Sequence, residues 1–200
     1  MIIEFAVGLT LSLPNAGPSV TQVEFQTPVQ EVITYPEVGV VEQVMDLSVP
    51  LPGGTSEAFE QDFKNGSVFF GAFALSKDFS YGYVTGANSP EAAREIALEE
   101  CRKQAPTCSI FATILPQGYT PLQPGQVSLA PEAAGYFNNP DPSWGNHRAM
   151  AISEDGAYSV VWNYESPSAA VEAAMNDCSG YTINDLPGLR DMPCILLPFK

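Results

Sequence analysis

This chain contains one passage twice. Residues 70–101, FGAFALSKDFSYGYVTGANSPEAAREIALEEC, align without a gap to residues 147–178, HRAMAISEDGAYSVVWNYESPSAAVEAAMNDC. The segments lie 77 positions apart and share 13 of 32 residues, where average composition gives roughly two by chance. A duplicated passage constrains the fold, because one copy's structure must serve both.

Each copy reads in the same order. Ala72-Phe73-Ala74-Leu75-Ser76 and Ala149-Met150-Ala151-Ile152-Ser153 alternate small and large side chains, a strand period with one narrow face. A short turn follows, with the hairpin signal Asp155-Gly156 in the second copy. Asp78 and Asp155 are equivalent, and turn chemistry accounts for both. A second strand is expected over Tyr81–Ala87 and Tyr158–Tyr164. Ser89-Pro90 and Ser166-Pro167 then read as helix starts: the hydroxyl accepts from the first-turn amides, and proline suits the first helical position. Ala93, Ala97 and Cys101, and Ala170, Ala174 and Cys178, recur every four residues as one helical stripe. The apolar runs CSIFATIL and CILLPF close the copies.

The expected fold class is therefore α+β. Two pseudo-symmetric β-hairpin–helix–strand repeats form one antiparallel-rich sheet system, with helices packed on it and an acidic, β-rich N-terminal extension. One such unit buries a single sheet face and is marginal alone, which is a structural reason to repeat. The segments are residues 1–17, 18–66, repeat one at 67–115, a Pro/Gly-rich linker at 116–147, and repeat two at 148–200. Residues 1–17 carry a mostly apolar stretch followed by Pro14, Ala16 and Gly17, and read either as a signal peptide or as an N-terminal strand. In 18–66, VTQVEFQ and EVITYPEVGVVEQV read as strands, and SEAFEQDF as one or two helical turns. The linker reads as a lid-like loop or a mobile connection.

Charge narrows the partners. There are 8 Lys+Arg against 23 Asp+Glu, for a net charge of −15, and residues 1–63 hold no Lys or Arg. Such a chain repels phosphate backbones and anionic headgroups, so neither nucleic acid nor an anionic membrane surface is expected as a partner. No apolar run reaches the length of a transmembrane helix.

Four cysteines allow three pairings. The repeat logic selects Cys101–Cys108 and Cys178–Cys194, each tying a helix end to the strand that returns beside it. The spacings match neither a redox C-x-x-C nor a zinc site. Disulfides place the chain in an oxidising compartment, periplasmic or secreted.

The order small-x-small-x-Ser, turn, aromatic strand, Ser-Pro, alanine-rich helix ending in Cys, and a second Cys opening an apolar strand resembles DUF4189, a family of small secreted bacterial domains. The resemblance covers the two repeats, about half the chain. It implies export and one disulfide per unit, and no activity.

No phosphate-binding glycine loop or dinucleotide fingerprint is present, and no cofactor or metal is expected. The single histidine, His147, lies near Asp141 and Ser143 in PDPSWGNHRAM, but proximity in sequence does not make a catalytic triad. No catalytic residue is assigned. The identical positions all serve packing, turns, caps or cysteines, so a specific function is sought where the second copy departs from the first. The candidate ligand or partner surface is Trp162, Tyr164, Tyr158, His147 and Arg148, with core packing as the competing role for the aromatics. The expected function is a non-enzymatic, exported, disulfide-stabilised binding module for a protein or glycan. The alternatives are a small periplasmic hydrolase with a site between the repeats, and an accessory subunit of an envelope complex.

Overall fold

The computed structural model describes residues 31–36, 39–66 and 68–198. The segment 1–17, read as a leader or a strand, and the strand expected at VTQVEFQ lie outside the described residues.

The chain is mixed α+β, with nine strands and four helices among the described residues. The first sheet has strand order β2-β5-β3-β4, formed by β2 (Gly39–Gln43), β3 (Phe70–Ser76), β4 (Tyr81–Ala87) and β5 (Cys108–Pro116). All of its neighbours run antiparallel. The small face of β3 works as its alternation predicts: Ala72 and Ala74 meet Ala93, Ala97 and Cys101 of α2 (Pro90–Arg102). The helix approaches so closely that a Cβ on Gly82 would lie 2.2 Å from the Cys101 amide nitrogen. Glycine is thus required beneath α2. The opposite face carries Phe73, Leu75 and Phe111 against Phe59 and Phe63. These two rings come from the π-helical stretch Ala58–Lys64, which continues α1 (Gly53–Glu57). The helical turns expected at SEAFEQDF are therefore a lid on the aromatic core.

The second sheet has order β8-β7-β9, from β7 (Ala149–Ile152), β8 (Tyr158–Val161) and β9 (Ile195–Leu196). Ala149 and Ala151 face Ala170, Ala174 and Cys178 of α4 (Pro167–Tyr181). Met150 and Ile152 face the other way, onto Leu129, Ala133 and Ala134. These last come from β6 (Gln126–Leu129) and α3 (Pro131–Asn138). The segment read as a lid or mobile connection thus carries a strand and a helix that cover the second sheet. β6 pairs in parallel with β1 (Glu31–Thr34).

Two expectations need correction. The described residues form three separate sheets rather than one continuous sheet, because β4 and β8 each end a sheet and meet through hairpin and loop contacts. The strand expected over Tyr158–Tyr164 stops at Val161. Asn163 adopts φ 62°, a left-handed conformation that asparagine tolerates and a strand does not.

The helix caps form as expected. Ser89 Oγ accepts from the Ala92 amide at 2.9 Å and Ser166 Oγ from the Ala169 amide at 3.2 Å. Both disulfides are present, Cys101–Cys108 and Cys178–Cys194. The second closes a loop whose Leu186 and Met192 pack on Ala92 and Ile96 of α2, so it braces the joint between the two halves. Removing it as Cys178→Ala/Cys194→Ala is expected to cost about 3 kcal/mol, against about 2.4 kcal/mol for the shorter Cys101–Cys108 loop. Guanidinium denaturation of the two double variants checks the order. No helix among the described residues is long and apolar enough to cross a membrane.

Candidate functional site

Trp162, an aromatic that the first copy lacks, stands in a row of rings. Trp162 stacks on Trp144, with ring centroids 4.7 Å apart and planes 9° from parallel. Trp144 stacks in turn on Tyr136 at 6.2 Å, and Tyr136 meets Tyr158 at 6.3 Å. Three different elements supply this row: α3, the loop after it, and the end of β8. It is not sealed in the core. Trp162 is 42 % exposed and Tyr136 40 %.

The local backbone explains why the row forms. The left-handed turn at Asn163 points its side chain back, and Oδ1 accepts from the Gly145 amide at 2.8 Å. The Tyr164 amide donates to the His147 carbonyl at 3.2 Å. Upstream, the Trp144 amide donates to the Asp141 carbonyl at 3.0 Å, and the Ser143 amide to Asp141 Oδ1 at 2.7 Å. Hydrogen bonds from Ser143 hold the Asp141 carboxyl below its usual range. The loop is thus fastened on both sides of Trp144.

Below the row lies a groove of about 740 Å³. One wall is Tyr158–Val160 on β8 with Trp162, and the other is Val84–Gly86 at the edge of β4. The hairpin turn of the second sheet fits against the end of β4 there. Gly156 has φ 104°, and a Cβ on it would lie 2.6 Å from the Gly86 carbonyl oxygen. Glycine serves both the turn and the contact. Asp155 and Asp177 line the groove, and no Lys, Arg or His does. Asp155 is also structural: Oδ1 accepts from the Ala157 amide at 3.1 Å and Oδ2 from the Ile183 amide at 2.6 Å. Burial, reinforced by a hydrogen bond to Glu132, pushes the Tyr158 hydroxyl up to about 12, so it stays a neutral donor.

A second groove of about 720 Å³ lies between the halves, lined by Ser89, Glu91, Glu95, Glu154 and Arg190 among others. Arg190 ties two of its carboxylates together. Arg190 holds Glu95 at 3.0 Å and also Glu154. Ser89 Oγ donates to Glu154 at 3.3 Å. The hydrogen bond that Arg190 donates to Glu154 is the largest cause raising its guanidinium above the usual range.

The candidate residues separate accordingly. Tyr158 and Trp162 line the first groove. Tyr164, 39 % exposed, lies beside it and acts through its backbone as a clasp. His147 and Arg148 are half-buried and line neither groove. A triad needs a carboxylate on one imidazole nitrogen. His147 Nδ1 is buried without a hydrogen-bond partner among the described residues. Tyr136, Trp144 and Asn163 join the site only through tertiary contacts. Of the three, only Trp144 carries a signal in the sequence, as one of two tryptophans. No group of three or more His, Cys, Asp or Glu among the described residues is placed to hold a metal ion.

A stacked indole pair with Trp162 exposed, beside an acidic groove, provides a flat apolar face and negative charge. Those features suit recognition of a ring, an apolar side chain or a cation. No family model, curated protein or solved structure matches this chain.

Proposed function

We propose that this protein is an exported, disulfide-stabilised, non-enzymatic binding module, periplasmic or secreted, whose ligand occupies the aromatic groove. One observation carries the reading: Trp162 stacks on Trp144 yet keeps 42 % of its surface exposed. Core packing alone gives no reason to leave a stacked tryptophan nearly half in water, while a binding surface needs such an anchor. Export is supported by the two disulfides. A duplicated origin of the two halves is supported by their shared strand order, β5-β3-β4 and β9-β7-β8. In this reading the duplication built the frame, and later changes in the second half made the site.

The test is a titration of envelope-derived glycan and peptide panels, read by tryptophan fluorescence. A ligand should shift the emission, and Trp162→Ala should weaken its binding about thirty-fold, the effect of a hot-spot residue worth about 2 kcal/mol. Ligands that bind Trp162→Ala as tightly as the native chain would sink the assignment. Val40→Ala, at an exposed position on β2 outside the groove, serves as the control.

A further inference from the structure

We infer that the groove takes a basic polypeptide segment in extended conformation, which adds as a strand along the free edge of β8. This rests on the binding-module reading and specifies the ligand class.

The first argument is the backbone. β8 ends its sheet, and among the described residues it pairs only with β7. The hairpin is closed by the Ser153 amide donating to the Ala157 carbonyl at 2.8 Å. In an antiparallel pair the bonding direction alternates. With Ile152 opposite Tyr158 and Met150 opposite Val160, the N–H and C=O of Tyr158 and Val160 therefore point away from β7, toward the groove. The Met150 carbonyl turns the opposite way and accepts from the Leu197 amide at 2.9 Å, as that alternation demands. The edge thus offers two donors and two acceptors in strand register.

The second argument is what the edge lacks. Exposed edges are commonly blunted by lysine, proline or a bulge. Tyr158–Val161 has none of these, and its ladder with β7 has no register shift. β9, at the other side of the sheet, is two residues long and bounded by Pro193 and Pro198. The two edges are treated differently, and the unprotected one faces the groove.

The third argument is charge and side-chain spacing. Asp155 and Asp177 line the groove without a base, so a cationic partner is favoured and an acidic one repelled. A second copy of this chain, at net charge −15, is disfavoured for the same reason. Tyr158, Val160 and Trp162 alternate along the wall, so every second side chain of an added strand meets an apolar or aromatic surface. A Lys or Arg beside Trp162 gains a cation–π contact as well. Strand addition reads main-chain bonds for affinity and alternate side chains for choice of partner.

The experiment pans a displayed library of random heptapeptides against the full oxidised chain, then studies a synthetic copy of the winner. The expected winners alternate Lys or Arg with apolar residues. The bound peptide should slow hydrogen exchange at the Tyr158 and Val160 amides at least ten-fold. Of two half-N-methylated versions of the peptide, the one whose methyl groups face β8 should lose binding and the other keep it. Asp177→Asn should weaken binding about two- to five-fold, as for one exposed ion pair. Winners that shift tryptophan emission without protecting those amides, or that tolerate both methylation patterns, overturn strand addition and leave the binding module standing. Acidic winners, winners unaffected by Trp162→Ala, or self-association that blocks the groove also overturn it. If neither peptide nor glycan perturbs the tryptophans, both readings fall together.

Discussion

Replacing Phe63 with alanine is expected to destabilise the fold by about 3–5 kcal/mol, the range for emptying a buried phenylalanine site. Phe63 is fully buried. Its ring stacks on Phe59 at 5.8 Å and meets Phe73 edge-on at 5.5 Å and Tyr83 at 6.3 Å. Truncation therefore removes the transfer energy of one ring and opens a hole among three others, which are held by a helix and two strands and cannot all close in. Edge and stacked pairs add about 0.5–1.5 kcal/mol beyond burial. Phe63→Leu should recover more than half of the loss by refilling volume. Guanidinium denaturation followed by near-ultraviolet circular dichroism reads both variants. A loss below about 1 kcal/mol for Phe63→Ala would mean that the helical lid is not part of the cooperative core.

The second large effect is expected at Asn88, which is 4 % exposed and uses every hydrogen-bonding group it has. Its Nδ2 donates to the Ser153 carbonyl and its Oδ1 accepts from the Ala130 amide, both at 2.8 Å. Its own amide donates to the Glu154 carbonyl at 2.8 Å, and its carbonyl accepts from Ser128 Oγ at 2.6 Å. One side chain thus joins the end of β4, the hairpin of the second sheet and the strand–helix connection that covers it. Asn88→Ala leaves a buried carbonyl and an amide unpaired, at a cost of about 2–5 kcal/mol. Asn88→Asp is the sharper probe. It keeps the acceptor for Ala130 but sets an oxygen against the Ser153 carbonyl. That environment disfavours the carboxylate and raises its folded pKa above the unfolded value. The protonated acid regains the donor, so stability relative to the native chain should be best at low pH and fall as pH rises through the folded pKa. Denaturation of both proteins at pH 4 and pH 7 measures the difference. An Asn88→Asp deficit that is equal at the two pH values would remove the donor role.

The features legible in the sequence are those written over short distances. Ser89 and Ser166 cap helices because each hydroxyl sits three residues from the amide it accepts. Ala72 and Ala74 face Ala93 and Ala97 because strand and helix periods both place small residues on one side. The cysteine pairs follow from a helix that ends beside the strand it packs on, 7 and 16 residues apart. Part of the candidate site was readable in the same way: Trp162 stands out once the two copies are aligned, because the first copy has Thr85 there.

The remainder depended on contacts that no local pattern encodes. β1 pairs with β6 although Glu31 and Gln126, its first partners, are 95 positions apart. The acidic segment looked separate by composition, yet Phe59 and Phe63 complete the aromatic core, because burial selects for two rings and is indifferent to the charges between them. Proline and glycine made residues 116–147 read as a connection, but Leu129, Ala133 and Ala134 cover the second sheet. Trp144 and Tyr136 reach Trp162 only because Asn163 turns left-handed and clasps the loop. The hairpins, the capped helices and the two disulfides follow from local order along the chain, since hydrogen bonds, turns and periodicity act within a few residues. That β4 and β8 face each other across an acidic groove, with the stacked indoles above it, emerges only on folding. That arrangement depends on Gly86 against Gly156 and on Asn88, where atoms distant in the chain must fit, and only the folded packing fixes such distances.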